Sequence, residues 1–350
     1  MSREDREIRH LLIIRLSAMG DAAMTVPVVS GLRAARPDLR ISILTRTPFR
    51  AFFRDIPRIE FIDFDPRGKH RGMRGLARLA GEIRKAGVDA VADMHDVLRT
   101  KVLRRLLWSR NVQTAVIDKG RQEKRLLTRR FRKFRHPLTP TVERYRLTLL
   151  QLGLYCELAR VPGKKAGAVP AALKDRAGEK TGIWVGVAPF AAHKGKIYPI
   201  PLADRLIALL AARYQKIFMF GGGRYEQDFA EEVERLHPGV VSVIGKTDLS
   251  GEMDLMSIID VMVTMDSSSM HIASLTGTPV VSVWGATHPW AGFYGYGQDE
   301  RNAVQLELPC RPCSVYGDKE CIHHNYRCMS DISPETIADR VAEALERGKR

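Results

Sequence analysis

A carboxylate stands where an apolar strand pattern gives way to a helix pattern. Asp21 follows the apolar run His10–Leu16 through the stretch "SAMGD". One role for an aspartate at such a junction is structural, because its side chain caps a helix by accepting backbone N–H bonds and offsets the positive end of the helix. A second role is chemical, because a carboxylate within reach of a hydroxyl accepts its proton as the oxygen attacks. The local residues leave both roles open.

A second strand-to-helix junction carries groups suited to an anion. In "MDSSSMHIAS" an apolar strand runs into Asp266, and Ser267 and Ser268 open a helix pattern that reaches His271. A helix N-terminus presents free N–H groups and partial positive charge, which bind phosphate, and serine hydroxyls add donors. An ordinary helix cap with a packed histidine explains the same residues. The chain lacks G-x-G-x-x-G and G-x-x-x-x-G-K-[ST] patterns, which argues against dinucleotide and P-loop sites.

Two further segments follow strand patterns and could complete a phosphate site. In "PFAAHKGKIYP", which begins at Pro189, the ammonium groups of Lys194 and Lys196 could lie near a diphosphate. In "GGGRYEQD", glycines permit close backbone approach to a ligand, and Glu226 could accept bonds from a ribose hydroxyl pair. The alternatives are solvated lysines in a loop and an ordinary glycine-rich turn.

A cysteine cluster near the C-terminus has a spacing that allows metal binding. Cys310, Cys313, Cys321 and Cys328 form the pattern C-x2-C-x7-C-x6-C. Four thiolates can hold zinc tetrahedrally, but these spacings are looser than those of a paired C-x2-C ribbon. Packed or free thiols are therefore the leading interpretation, with a structural zinc as the alternative.

The chain is strongly basic, with 56 Lys and Arg against 40 Asp and Glu and a net charge of +16. Such a surplus favours an anionic partner, either nucleic acid, an acidic membrane or a phosphorylated substrate. No recognised nucleic-acid-binding motif is present, so we do not expect nucleic acid as the partner. The default explanation of the densest basic run is a solvated, exposed helix face. The alternative is that it contacts anionic phospholipid headgroups or substrate phosphates. Its cations are Arg129, Arg130, Arg132, Lys133 and Arg135.

The elements that must position these residues form two series of short apolar strands alternating with helix patterns. Alternation of this kind predicts an α/β fold with parallel sheets covered on both faces. A stretch rich in Pro, Gly and Lys, residues 159–182, separates the two series and reads as a linker. The strands are predicted at 10–16, 40–44, 59–64, 88–94, 113–118, 183–189, 216–222, 240–245, 261–265 and 279–285. Ligands of such sheets bind at the carboxyl ends of the strands.

These motifs together resemble glycosyltransferase family 9, the ADP-heptose:lipopolysaccharide heptosyltransferases. The resemblance lies in "LIIRLSAMGDAAMTVPVVSGLRAARPDLRISIL", "KIYP", "MDSSSMHIASLTGTPVVSVWGATHP" and "YRCMSDISPETI". It implies the GT-B fold, in which two Rossmann-like domains face each other across a cleft. The implied organisation is an N-terminal acceptor-side domain at 1–165, a nucleotide-sugar-binding domain at 178–330, and a C-terminal helix at 331–350 that packs back on the first domain.

The resemblance also implies an activity, namely inverting transfer of a heptose from a nucleotide-diphospho-sugar, ADP-heptose, to a lipopolysaccharide core acceptor. By the family pattern, Asp21 matches the proposed base and Lys196 the lysine that contacts donor phosphate. Glu226 matches an acidic residue near the ribose. Asp266–His271 matches the Asp-Thr-Gly-x-x-His donor motif, in which Ser267 and Ser268 here replace Thr and Gly.

The expected partners are the nucleotide sugar, a lipid-linked phosphorylated glycan and, by peripheral contact, the anionic inner membrane. No cofactor is expected to be required. The alternatives are another GT-B enzyme (a transferase of a different sugar or a sugar-nucleotide epimerase), a non-catalytic relative and a basic nucleic-acid-binding protein. We see no secretion signal or membrane-spanning apolar run, so we expect a cytoplasmic protein.

Overall fold

A computed structural model describes residues 7–108, 112–160 and 167–348 of the chain. The chain divides into two compact units. The first unit comprises Met1–Lys119 and Thr141–Arg160, and the second comprises Gly120–Pro140 and Val161–Arg350. Within the described ranges, no helix is both long enough and apolar enough to cross a lipid bilayer.

The strands are short and mostly buried along their whole length, as parallel strands covered on both faces must be. They are β1 (His10–Ile14), β2 (Arg40–Thr45), β3 (Ile59–Asp63), β4 (Ala90–Asp93), β5 (Gln113–Val116), β6 (Trp184–Ala188), β7 (Lys216–Met219), β8 (Val240–Ser242), β9 (Val261–Met265), β10 (Val280–Trp284) and β11 (Ala303–Gln305). The ten predicted strands are confirmed, and β11 is an eleventh strand that the sequence did not predict.

The helices carry apolar residues on the side that faces a sheet or another helix. They are α1 (Met19–Ala23), α2 (Val26–Ala35), α3 (Gly72–Lys85), α4 (Leu98–Leu107), α5 (Arg121–Thr128), α6 (Thr141–Leu150), α7 (Lys174–Ala177), α8 (Ile200–Arg213), α9 (Arg224–Leu236), α10 (Leu249–Ile258), α11 (Ser268–Leu275), α12 (Arg327–Ser330) and α13 (Pro334–Arg347). Residues 161–166 of the predicted linker lie outside the described residues.

The first unit contains a five-stranded parallel sheet with the order β3-β2-β1-β4-β5. Ile13 of β1 pairs with Ile43 of β2 on one side and with Ala92 of β4 on the other. Strands β2 and β3 therefore lie on one side of β1, and β4 and β5 lie on the other. The order reverses between β1 and β4, which is where open α/β sheets bind ligands.

The second unit contains a six-stranded parallel sheet with the order β11-β10-β9-β6-β7-β8. Its core is a continuous apolar cluster that joins β6, β7, β9 and β10 to helices α8, α9 and α13. The strand order reverses between β6 and β9, which are hydrogen-bonded neighbours. The two sheets thus have the doubly wound arrangement that the alternating pattern predicts.

The C-terminal helix belongs to the second unit. Its packing on the N-terminal domain, which the resemblance implies, stays a prediction. Helix α13 contacts α8 and strands β9, β10 and β11. Its residues Ile337, Ala338, Val341 and Ala344 are buried in the core of the second unit. These residues recur at helical spacing and form one apolar face, which packs on the second sheet and on α8.

The basic stretch departs from the predicted boundaries, because Gly120–Pro140 belongs to the second unit and not to a continuous domain at 1–165. Leu127 of α5 and Leu138 are buried against Ala291. The backbone N–H of Leu138 donates a hydrogen bond to the carbonyl of Trp290 (2.9 Å). These apolar contacts attach the segment to the second unit, although sequence neighbours on both sides belong to the first.

A buried arginine holds the loop after β10 in place. Arg311 is 4% exposed, and its guanidinium donates to the carbonyls of Gly285 (2.5 Å), Thr287 (2.9 Å) and Trp284 (3.1 Å). All three acceptors are neutral oxygens that lose their donor if the side chain is removed. Buried acceptors without partners are costly, and each typically costs about 1–3 kcal/mol.

We therefore expect Arg311→Met to lower the free energy of unfolding of the second unit by about 3 kcal/mol or more. Urea titration followed by circular dichroism measures the midpoint. Arg301→Met is the control, because the side chain of Arg301 is 73% exposed. An unfolding midpoint for Arg311→Met equal to that of the control would show that the carbonyl contacts contribute little.

Candidate functional site

The predicted phosphate-binding motifs follow three adjacent strands of the second sheet. The segment from Pro189 to Lys196 follows β6, the glycine turn before Glu226 follows β7, and Asp266 follows β9. Because β9, β6 and β7 are parallel neighbours, their carboxyl ends share one edge of the sheet. This edge includes the reversal of strand order between β6 and β9, the expected ligand position.

Lys196 and Asp266 meet across this reversal. The ammonium nitrogen of Lys196 lies 3.3 Å from a carboxylate oxygen of Asp266. The two side chains are only 14% and 7% exposed, so the pair is largely withdrawn from bulk water. An ion pair in a low-dielectric setting fixes the direction of the ammonium more firmly than a surface pair does. The structure thus brings together two residues that the sequence predicted separately.

Backbone contacts at two glycines support the lysine. Gly195 donates from its N–H to the carbonyl of Gly317 (3.2 Å) and accepts at its carbonyl from the N–H of Ala286 (2.9 Å). A Cβ at Gly195 would lie 2.9 Å from the Cβ of Ala286. Gly317 has φ of +77°, and a Cβ there would lie 2.5 Å from the Cγ of Lys196. Both positions therefore require glycine, and Gly317 was not identified from the sequence.

The other two residues predicted in this segment differ in accessibility. Lys194 is exposed, and its ammonium lies 5.3 Å from the centre of the Tyr326 ring. Pro189 is buried, and its carbonyl accepts a hydrogen bond from the N–H of Tyr198 (3.3 Å). Lys194 is thus held less firmly than Lys196, and Pro189 shapes the segment through its backbone.

Glu226 lies in the first turn of α9, beyond the end of β7. One of its carboxylate oxygens accepts a hydrogen bond from the N–H of Gly222 (2.7 Å). Burial raises the pKa of Glu226, and the bond from Gly222 opposes that effect. The carboxylate is therefore oriented along the glycine turn, and it is a suitable acceptor for hydroxyl groups that approach this edge.

Serines precede and begin α11 at the same edge. The hydroxyl of Ser267 lies 3.0 Å from the hydroxyl of Thr264, within hydrogen-bonding distance. Ser268 is half-buried in the first helical turn, and His271 lies farther inside the helix at 7% exposure. The N-terminus of α11 thus presents backbone N–H groups and partial positive charge beside the Lys196–Asp266 pair.

Asp21 occupies the corresponding edge of the first sheet, but it is not the residue that caps α1. Ala18 precedes the helix, and its N–H donates to the carboxylate of Asp21 (3.3 Å), which reaches back from the first turn. The predicted N-cap position is therefore wrong by three residues, although the carboxylate still satisfies a free N–H of the helix terminus. The side chain of Asp21 is 27% exposed and remains accessible to a ligand.

Arg15 clamps this carboxylate. Its guanidinium lies 2.5 Å from Asp21 and donates to the carbonyl of Met94 beyond β4 (2.6 Å). It also lies 5.8 Å from the centre of the Tyr145 ring. The clamp spans the reversal of strand order between β1 and β4, and it involves partners distant in sequence. The only local signal was a polar residue that directly follows the apolar run of β1.

His95 is a second residue of this edge that the sequence analysis did not identify. Burial lowers its pKa to about 3, and the positive charges of Arg15 and Lys119 add to that effect. The imidazole is therefore neutral at neutral pH. Its Nε2 atom lies 3.4 Å from the hydroxyl of Ser17. A neutral imidazole can donate or accept a hydrogen bond without competing with Asp21 for the arginine.

The cysteine cluster shows no metal-binding geometry in the part of the chain that the structure describes. No group of three or more His, Cys, Asp or Glu side chains there is placed to hold a metal ion. The cysteines are free, and burial raises the pKa of Cys328 to about 11. Zinc binding by Cys310, Cys313, Cys321 and Cys328 therefore stays a prediction that rests on their spacing alone.

The five predicted cations of the basic run separate into two groups. Lys133 donates to the carbonyl of Pro312 (2.7 Å), and Arg135 donates to the carbonyl of Pro309 (3.3 Å). The remaining three, Arg129, Arg130 and Arg132, are exposed. The run thus combines cations that attach it to the second unit with cations that face solvent.

The model of glycosyltransferase family 9 (heptosyltransferase) matches residues 76–324, which is most of the chain. The chain belongs to glycosyltransferase family 9. The matched range includes Lys196, Glu226 and the Asp266–His271 motif, so the family pattern covers the edge of the second sheet described above.

Curated members of the family are distant relatives of this chain. The lipooligosaccharide heptosyltransferase 2 of Campylobacter jejuni is 25% identical over 149 residues, which are 40% of this chain and 44% of that relative. The chain therefore matches less than half the length of that protein. The lipopolysaccharide heptosyltransferase 1 of Campylobacter coli is 24% identical over 293 residues, 79% of this chain and 84% of that relative.

Solved structures of the family share the fold. A family 9 glycosyltransferase from Veillonella parvula is 21% identical, with a TM-score of 0.73 over 98% of this chain and 99% of that one. The E. coli heptosyltransferase WaaC with ADP-2-deoxy-2-fluoro heptose is 19% identical, with a TM-score of 0.64 over 95% and 99%. The predicted α/β fold of GT-B type, with two Rossmann-like parallel sheets, is confirmed.

Proposed function

We propose that this family member transfers a heptose from ADP-heptose to a phosphorylated, lipid-linked lipopolysaccharide core acceptor, with inversion at the anomeric carbon. The observation that carries the proposal is the Lys196–Asp266 pair at the strand-order reversal, beside the N-terminus of α11. Support for the donor comes from the WaaC structure, which was solved with a fluorinated ADP-heptose. Support for the acceptor comes from the Campylobacter coli relative, whose name specifies lipopolysaccharide.

The second unit stabilises the departing diphosphate. As the bond between the anomeric carbon and the phosphate oxygen breaks, its electron pair stays on the diphosphate and negative charge increases there. The ammonium of Lys196 and the N–H groups of α11 are oriented before the reaction and can stabilise that charge. Glu226 would orient the nucleoside by accepting hydrogen bonds from ribose hydroxyls.

The first unit provides the base. Asp21 accepts the proton of the acceptor hydroxyl as its oxygen forms the new bond to the anomeric carbon. Arg15 holds the carboxylate in one orientation, so the accepting oxygen is in place before the acceptor binds. One displacement, with attack opposite the departing diphosphate, inverts the configuration.

The serine substitutions in the donor motif are compatible with phosphate binding. Ser267 has extended backbone angles (φ −142°, ψ 178°), and Ser268 begins a helix. Neither conformation requires glycine, so the turn before α11 forms without the Gly of the family pattern. The hydroxyls keep donors at the helix N-terminus, and the side chain that Ser268 adds in place of glycine would act on the choice of sugar rather than on diphosphate binding.

The test is turnover of the purified protein with a panel of nucleotide sugars that includes ADP-heptose, UDP-glucose and GDP-mannose, with a lipid A–core acceptor. We expect a heptosylated product with ADP-heptose and much slower reaction with the other donors. A different preferred donor would overturn the assignment of the sugar. Release of an epimerised sugar nucleotide without glycoconjugate would instead establish the epimerase alternative.

We expect Arg15→Gln to lower kcat by roughly 10- to 100-fold, because the carboxylate of Asp21 would no longer be held in the orientation in which it accepts the proton. The KM for the donor should change little, since Arg15 lies in the first unit. Arg15→Lys should recover part of the rate. Arg40→Gln is the matched control, because Arg40 forms an ion pair with Glu60 (2.7 Å) at the start of β2. Equal losses of thermal stability and of rate in both variants would contradict a positioning role for Arg15.

A further inference from the structure

A surface segment of the second unit combines exposed aromatic rings with a high density of cations. We name residues 124–136, "KRLLTRRFRKFRH", the basic–aromatic segment. Phe131 is 72% exposed and Phe134 is 47% exposed. Leu126 adds an aliphatic side chain that is 42% exposed. Large apolar side chains so exposed and so close in sequence mark an interaction surface rather than ordinary surface composition.

Contacts on both sides of the two phenylalanines fix the path of the segment on the second unit. Leu127 and Leu138 are buried in the second unit, and Lys133 donates to the carbonyl of Pro312 (2.7 Å). The N–H of Phe134 donates to the carbonyl of Leu126 (3.1 Å). Arg132, between the two rings, has φ of +48°, a conformation that non-glycine residues rarely adopt. The segment thus has a defined backbone conformation, in which Phe131 is mostly exposed and Phe134, whose ring centre lies 4.8 Å from that of His136, is about half exposed.

The charge of the segment has one sign. Its sequence contains seven Lys and Arg residues and no Asp or Glu. Arg125, Arg129, Arg130 and Arg132 are exposed, and the guanidinium of Arg130 lies 5.3 Å from the centre of the Phe131 ring. Exposed cations close in sequence to exposed apolar side chains are suited to a surface with anionic groups outside and hydrocarbon beneath.

We propose that the basic–aromatic segment docks on an anionic phospholipid bilayer, with Phe131 and Phe134 in the interfacial layer and the exposed arginines on the headgroups. Phosphates of a soluble glycan would account for the arginines but not for the exposed phenylalanines and leucine. Nucleic acid would account for the arginines and rings but not for the exposed leucine. The inference rests on the proposed function and extends it, because it names the bilayer as the place where the protein binds its lipid-linked acceptor.

The test is co-sedimentation of the full-length protein with vesicles of phosphatidylethanolamine and phosphatidylglycerol, compared with phosphatidylcholine vesicles. We expect binding to the anionic vesicles that weakens as salt is added. Arg129→Gln with Arg130→Gln should weaken binding by about 25-fold, at roughly fivefold for each cation. The matched control is Lys174→Gln with Arg235→Gln, which removes the same charge from exposed positions of the same unit. If both pairs of substitutions weakened vesicle binding equally, the effect would come from net charge alone, and the proposal would be overturned.

The rings have their own test. Phe131→Ser with Phe134→Ser should weaken vesicle binding at least tenfold. Tyr155→Ser, at a residue that is also 72% exposed, should leave binding unchanged. The fluorescence of Phe131→Trp should be quenched by brominated lipid beyond the quenching of the wild type. Wild-type binding by the double serine variant, or no added quenching, would exclude insertion of the rings.

Two further readouts separate this proposal from others. With a water-soluble acceptor lacking the lipid, the double serine variant should transfer sugar at the wild-type rate. A loss of that rate would assign the segment to the acceptor site and overturn bilayer docking. Binding of single-stranded RNA in place of vesicles would also overturn it. Failure of turnover by the wild type, with vesicle binding intact, would count against the proposed function alone.

Discussion

We expect Asp21→Asn to lower kcat by roughly 10²- to 10⁴-fold, the range for loss of a general base. The amide has nearly the same shape as the carboxylate and can still accept the hydrogen bond from the N–H of Ala18. It cannot accept the proton of the attacking hydroxyl, and it loses the ionic part of the contact with Arg15. Initial rates at saturating donor and acceptor measure the effect.

Controls for this prediction separate chemistry from folding. Asp38→Asn removes an aspartate that pairs with Arg36 (2.6 Å) on the surface of the same unit, and it should leave the rate unchanged. Affinity for ADP should be preserved in Asp21→Asn, because the proposed nucleotide site lies in the second unit. Turnover of Asp21→Asn within a few-fold of the wild-type rate would show that Asp21 is not the base, regardless of its contacts with Arg15 and Ala18.

The alternating pattern predicted the strands of both sheets well because a strand buried on both faces must be a short continuous apolar run. The pattern failed for β11, because only Val304 of its three residues Ala303–Gln305 is buried and the strand gives no such run. The pattern makes no prediction about the partner of α13, because an apolar helix face does not specify which sheet covers it. Helix existence is a local property, whereas docking depends on contacts distant in sequence.

At the edges of the two sheets, too, some features could be predicted from the sequence and others could not. Lys196 and Asp266 could be predicted because each directly follows a recognisable strand, and parallel neighbours bring such residues together. The clamp on Asp21 could not be predicted, since Arg15 reaches a carbonyl 79 residues away. Nor could Gly317, whose need for glycine depends on the stem of Lys196 lying against it. Sequence thus located the charged groups, and tertiary packing determined their orientation.

Removal of the Lys196 ammonium should affect donor binding and chemistry together. We expect Lys196→Met to lower the transfer rate by roughly 10²- to 10³-fold, the range for loss of one preorganised donor to a developing anion. The buried carboxylate of Asp266 would then lie uncompensated near the diphosphate, and affinity for ADP should also fall. Steady-state kinetics and calorimetric titration with ADP measure the two effects.

The double variant Lys196→Met with Asp266→Asn distinguishes the two causes. If the single variant fails only because Asp266 repels the diphosphate, the double variant should recover both affinity and rate. We expect affinity to recover in part and the rate to stay low, because the charge that forms during bond breaking still has no ammonium beside it. Lys194→Met should cost less than Lys196→Met, since the Lys194 side chain is exposed and lies over Tyr326. The reverse ranking of the two lysines would mean that the ion pair with Asp266 supports the fold and that the other lysine contacts the donor.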